Sequence, residues 1–120
     1  MSIEADLIRG HTDTIILAHL SEGDSYGYQI NKAIRQISGG GYELKEATLY
    51  TAFRRLEENG AITSYWGDEN TGARRRYYSI TNLGRQVLVQ SKADWRYAKN
   101  IIDKLIGEDD NTAAGTEEKV

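Results

Sequence analysis

The chain has 120 residues, no cysteine and a formal net charge of −3. That length suits one domain with a modest core, of the kind dimerisation often completes, and the missing cysteines exclude disulfides and thiolate metal sites. No apolar run approaches the ~20 residues that span a bilayer, and residues 1–10 lack a basic stretch leading into an apolar one, so a cytoplasmic protein with no membrane partner is expected.

Residues 7–20 are apolar at both ends (Leu7, Ile8, then Ile15, Ile16, Leu17, Leu20) and polar between, which predicts one helix. Ser21-Glu22-Gly23-Asp24 breaks the pattern. Tyr26, Ile30, Ala33, Ile34 and Ile37 then recur at helical spacing, with Ser25 or Asp24 as the cap and Ser38-Gly39-Gly40-Gly41 as the stop. A third helix over residues 46–59 buries Leu49, Ala52, Phe53 and Leu56 and is closed by Asn59-Gly60. Its opposite face carries Ala47, Tyr50, Thr51, Arg54 and Glu58.

Residues 62–66 and 74–80 are rich in aromatic and β-branched side chains and read as strands, joined by the polar, glycine-bounded tip 67–72 into one hairpin. Thr81 caps a last helix over residues 82–106. Leu88, Trp95 and Ile102 share one position of a seven-residue repeat, and Ser91, Ala98 and Leu105 the other, which makes a short coiled-coil-like seam. Gly107 ends it. Residues 108–120 hold five acids and one base and few apolar side chains, so a disordered acidic tail is expected. Without that tail the chain has 14 basic and 13 acidic residues, so the negative total is compatible with a local basic face.

Three helices, a hairpin and a further helix are the order of a winged helix-turn-helix protein. The predicted fold is mainly α with a small β part (α+β): a DNA-binding domain over 1–80, a dimerisation helix over 81–107 and the tail over 108–120. In such proteins the second helix of the motif enters the major groove. Here it would present Tyr50, Thr51 and Arg54, side chains suited to bases and phosphates, with Ala47 and Thr48 at its N-terminus near phosphate. The hairpin supplies Arg74, Arg75 and Arg76, with Arg75 facing opposite to the other two. Gly72 lets the tip approach the backbone closely.

Trp95 has two readings. One is a large anchor of a dimer seam. The other is a stacking platform: its seam neighbours Ser91 and Ala98 are small, and across a two-fold axis two indoles would leave room for a flat aromatic molecule. Catalysis is not indicated. His11 and His19 are the only histidines and have no partner constellation, and there is no cysteine nucleophile or phosphate-binding loop after a strand. No catalytic residue, metal or cofactor is therefore assigned.

Tyr26-Gly27-Tyr28-Gln29-Ile30, Glu46-Ala47-Thr48-Leu49-Tyr50, Arg55-Leu56-Glu57, and Tyr77-Tyr78 followed by Thr81 and Gly84-Arg85 resemble the PadR family of transcriptional regulators, over about residues 7–106. Ser64-Tyr65-Trp66-Gly67-Asp68-Glu69, with Gly72 and Arg74-Arg75, is similar to the drug-responsive, short-C-terminus branch of that family. The resemblance implies a homodimeric repressor on an inverted-repeat DNA operator, controlling a drug-efflux transporter or its own gene. It also implies release by planar aromatic compounds held between paired tryptophans at the dimer interface. Trp95 matches that tryptophan, and the positions lining the same pore fall on Leu7, Asp13, Thr14, Ala18, Ser91 and Lys99. Lys99 stands where that branch has an acid, with Asp94 and Asp103 nearby in sequence, and Thr14 replaces an apolar residue. Lys45 replaces a helix-capping Asn. Two alternatives stand beside this reading: a repressor of the same family without a small-molecule pocket, and a winged-helix module that binds protein.

Overall fold

The apolar stripe of the third predicted helix becomes the middle of the core: Leu49, Ala52, Phe53 and Leu56 are each almost fully buried. The computed structural model describes residues 5–67 and 74–108. In chain order the elements are α1 (Ala5–Ile8), a 3₁₀ turn (Arg9–His11), α2 (Thr12–Leu20), β1 (Ser25–Tyr26), α3 (Gly27–Ile37), α4 (Glu46–Glu58), β2 (Ile62–Trp66), β3 (Arg76–Ile80) and α5 (Asn82–Ile106). This is the expected helix-rich α+β fold, with a small antiparallel sheet and a long last helix. The chain divides into two compact units, Met1–Leu88 and Val89–Val120.

The single helix expected over residues 7–20 is instead interrupted. Gly10 weakens the helix at that point, and the Thr12 hydroxyl donates to the Arg9 carbonyl at 3.2 Å, a local bond that competes with the helical ladder. Leu7, ahead of the break, is 71 % exposed, whereas Ile16, Leu17 and Leu20 after it are buried.

Neither Ser25 nor Asp24 caps α3. Ser25 and Tyr26 form a strand of two residues paired with Tyr78 and Tyr77 of β3, and Tyr26 occupies the cap position without a side-chain bond. Buried Ser25 donates to Gln29 Oε1 at 2.5 Å, and Asp24 accepts from the Tyr65 hydroxyl at 2.6 Å. Ile30 and Ile34 are buried as the spacing predicts, but Ile37 is 85 % exposed. It is the last residue of α3, and it lines an apolar groove together with Ile8 and Ile15.

The end of α4 follows the sequence closely. Gly60, at φ 78°, donates to the Glu57 carbonyl at 3.0 Å, and Ala61 donates to Leu56 at 2.9 Å. These two bonds close the last turn and need the left-handed backbone that glycine allows. The hairpin pairs Ile62 with Ile80 through to Trp66 with Arg76, and the sheet order is β1-β3-β2. Tyr78 of β3 is buried with its ring stacked on Phe53, centroids 3.8 Å apart.

Thr81 caps α5 as expected: its Oγ1 accepts from the Gly84 amide at 3.0 Å. Gly84 is required for packing. A Cβ there would lie 2.1 Å from the Ala61 carbonyl oxygen and 2.7 Å from Ile80 Cγ1. Gly84→Ala should therefore cost roughly 3 kcal/mol of stability, the upper end of overpacking effects. Thermal unfolding measures this, and a variant as stable as the parent would contradict the close approach.

Leu88, expected in a dimer seam, is instead 5 % exposed within the core of the first unit, because the start of α5 belongs to that core. Gly107, with φ 85°, follows the last helical residue. The acidic tail lies outside the described residues beyond Glu108.

Candidate nucleic-acid interface

The side of α4 away from the core carries every residue expected on the reading helix: Ala47, Thr48, Tyr50, Thr51 and Arg54 are all exposed. Lys45 precedes the helix and provides no side-chain cap. The first amides of α4 therefore keep the donors that a helix N-terminus leaves without intrahelical partners. Tyr50 is only 43 % exposed. Its ring meets Phe53 edge-on at 5.5 Å, and its hydroxyl occupies the space beside Gly27, where a Cβ would come within 2.6 Å. Glycine at the start of α3 thus leaves the space that the Tyr50 hydroxyl fills.

Between α4 and the hairpin lies a cleft of about 640 Å³. It brings together four of the expected DNA-binding residues: Tyr50 and Arg54 from α4, and Arg74 and Arg75 ahead of β3. Ala47, Thr48 and Thr51 line a separate concavity of about 510 Å³, beside Thr12, Asp13 and Arg55. Gly72 lies outside the described residues.

Side chains that the sequence reading did not single out hold the arginines. Trp66, opposite Arg76 in the hairpin register, has the guanidinium carbons of Arg74 and Arg76 at 5.4 Å and 5.7 Å from its ring centroid. Arg75 takes the other direction and lies 4.8 Å over Tyr26. The alternation expected of a strand therefore separates Arg75 from its neighbours. Cation–π contacts like these hold a guanidinium near an aromatic face at little cost in charge. Strand pairing alone would have placed Trp66 against Arg76. The platform under Arg75 could not be foreseen, because it depends on β1.

The residues matched to a ligand pore fall in both units. In the first, Leu7 is exposed on α1, while Asp13, Thr14 and Ala18 lie half-buried along α2. Asp13 is engaged: Arg55 of α4 donates to Oδ2 from Nε at 3.1 Å and to Oδ1 from Nη2. This hydrogen-bonded pairing raises the Arg55 pKa above the ordinary arginine value. In the second unit, Ser91, Trp95 and Lys99 follow one another at four-residue intervals along α5, with Trp95 46 % exposed. Lys99 pairs with Asp103 at 2.9 Å, and Asp94 accepts from Gln90 at 2.8 Å. The two acids near Lys99 in sequence are therefore both bonded within the helix.

The His19 ring lies 3.2 Å from the Ser25 hydroxyl, and burial lowers its pKa despite the opposing pull of Glu22. Among the described residues no three His, Cys, Asp or Glu side chains converge on a possible metal position, and no helix is long and apolar enough to cross a membrane.

Residues 16–90 match the transcriptional regulator PadR-like family. The chain belongs to that family. It is similar to a transcriptional regulator from Clostridium thermocellum, with 51 % identity, a TM-score of 0.79, and coverage of 85 % of this chain and 96 % of the other. A PadR family transcription regulator from Clostridium difficile aligns at 36 % identity and a TM-score of 0.71, over 80 % of this chain and 98 % of that one. An uncharacterised protein from Lysinibacillus sphaericus is 44 % identical over 101 residues, or 84 % of this chain and 93 % of the relative. As a PadR-like regulator the chain has a DNA-binding, repressor-type winged-helix fold, in a family of typically non-enzymatic proteins.

Proposed function

We propose that this PadR-like regulator is a cytoplasmic homodimeric repressor of the short-C-terminus, drug-responsive kind. It would bind an inverted-repeat operator at a drug-efflux transporter gene, its own gene, or both. The observation that supports the DNA-binding part of this reading is the cleft between α4 and the hairpin, where Tyr50 and Arg54 share one cavity with Arg74 and Arg75. With α4 in the major groove, Tyr50, Thr51 and Arg54 read base edges, and the amides of Ala47 and Thr48 face phosphate. Arg74, Arg75 and the tip glycine Gly72 hold the adjacent backbone.

Residues 1–80 form the DNA-binding part in this reading, and 81–107 the dimerisation helix. Support for the dimer comes from α5 itself: Trp95, Ile102, Leu105 and Ile106 are each at least 46 % exposed in the single chain. Exposed apolar side chains in that number mark a surface that another protein covers. A planar aromatic compound stacks between the paired Trp95 side chains, near Leu7, Asp13, Thr14, Ala18, Ser91 and Lys99. It acts by binding the geometry unable to hold DNA more tightly than the competent one.

The test is fluorescence anisotropy of a labelled duplex from upstream of the gene, titrated with protein and then with a planar aromatic dye. Binding followed by release on dye addition is the expected result. In Trp95→Ala, the dye should bind about tenfold more weakly, since each lost aromatic stack contributes about 0.5–1.5 kcal/mol. Undiminished release in that variant removes Trp95 from the ligand site. A dye without effect on the parent protein leaves a repressor without this pocket. Duplex binding that ignores salt speaks against phosphate contact and for a protein partner.

A further inference from the structure

Four arginines line the cleft between α4 and the hairpin, and among the described residues they share it with one acid, Glu57. A carboxylate in a surface that receives DNA repels phosphate. Its bonds give it a different task. The Ser64 hydroxyl donates to Glu57 Oε2 at 2.6 Å. Ser64 Oγ itself accepts from Arg76, from Nε at 3.2 Å and from Nη2 at 2.8 Å. Arg76 Nη2 also lies 3.6 Å from Glu57 Oε2, and its guanidinium rests 5.7 Å from the Trp66 centroid. One hydroxyl, giving one bond and receiving two, thus joins a carboxylate to a guanidinium.

The three residues come from three elements: Glu57 from α4, Ser64 from β2 and Arg76 from β3. Glu57 lies one turn beyond Arg54. Arg76 directly follows Arg74 and Arg75, and Trp66 is shared by Arg74 and Arg76. The cluster therefore bridges the segments that carry the cleft's other arginines. DNA that contacts α4 and the hairpin together gains from having them already held at the right separation, because ordering them on binding would cost affinity.

We propose that Glu57, Ser64 and Arg76 form a strut that sets the spacing between the reading helix and the hairpin for DNA binding. They are positioning residues, and Arg76 is committed to the strut and not to a phosphate. The proposal rests on the cleft being the DNA interface.

The test compares Glu57→Gln, Arg76→Gln and Ser64→Ala in the full chain, by anisotropy of the labelled upstream duplex over a series of salt concentrations. Charge counting predicts that Glu57→Gln tightens binding, since an acid leaves a cationic surface. The strut predicts the reverse: binding weakens about tenfold as the preorganised spacing is lost. Arg76→Gln should weaken binding similarly while keeping the parent's salt dependence, whereas loss of a phosphate contact would lower that slope by about 0.9. Ser64→Ala changes no charge and removes only the bridge, so a loss of about threefold there is attributable to geometry. Glu57 and Arg76 are 33 % and 44 % exposed, so the core is untouched, and thermal melts verify folding. Tighter or unchanged binding by Glu57→Gln, unchanged binding by Ser64→Ala, or a reduced slope for Arg76→Gln overturns the strut. A parent protein that binds no duplex overturns the interface itself, and the strut with it.

Discussion

Replacing Phe53 by Ala should lower the unfolding free energy by about 3–5 kcal/mol, the range for removing a buried aromatic ring. Phe53 is 1 % exposed and its ring holds two others: Tyr78 stacked at 3.8 Å and Tyr50 edge-on at 5.5 Å. The deletion leaves a cavity in the core and removes both aromatic contacts, each contributing about 0.5–1.5 kcal/mol beyond area burial. Against a typical total of about 5–15 kcal/mol, this is a large share. Thermal unfolding followed by far-UV circular dichroism should show a fall of more than about 10 °C. A fall of a few degrees would mean that the surrounding side chains close the cavity. Because Tyr50 loses its support, duplex binding at temperatures where the variant stays folded should weaken too.

Arg54→Ala should weaken duplex binding by about 1–3 kcal/mol if its guanidinium makes a bidentate base contact. Arg54 lines the cleft and has no ion-pair partner among the described residues. Its neighbour Arg55 makes the contrast. Arg55 is bonded to Asp13 on α2, and both side chains are more than a third exposed, so the pair adds at most about 1 kcal/mol to stability. Arg55→Ala should accordingly shift the melt slightly, while Arg54→Ala leaves the melt alone and moves the affinity. Anisotropy titrations of both variants on one duplex separate the two roles. Equal affinity for Arg54→Ala and the parent would remove Arg54 from the reading set.

How far these residues could be read without coordinates depends on the distance in sequence over which each is organised. The buried side of α4, its stop at Asn59-Gly60, the cap at Thr81 and the hairpin are local. They follow from side-chain periodicity and from backbone conformations that only some residues adopt. Arg54 was legible for the same reason: once Leu49, Phe53 and Leu56 take the inside, the helix turns Arg54 outward. The interruption at residues 9–11 does not follow from the pattern, although Gly10 marks it, because apolar residues at both ends of a polar middle are equally compatible with one helix. Strand β1 was hidden altogether. Two residues carry no periodic signal, and their pairing with Tyr77 and Tyr78 crosses more than fifty positions.

The sequence by itself determined the order of helices and hairpin, which side of each helix turns inward, and a PadR-like regulator with arginines on the hairpin. Those properties depend on near neighbours. Tertiary structure alone decided that Arg55 meets Asp13, that Glu57 and Ser64 claim Arg76, and that Arg75 lies over Tyr26. All the arginines carry the same charge in the sequence. Their tasks differ because a guanidinium goes to whichever carboxylate, hydroxyl or aromatic face the packed elements bring within reach, and that is set only when distant segments close on one core.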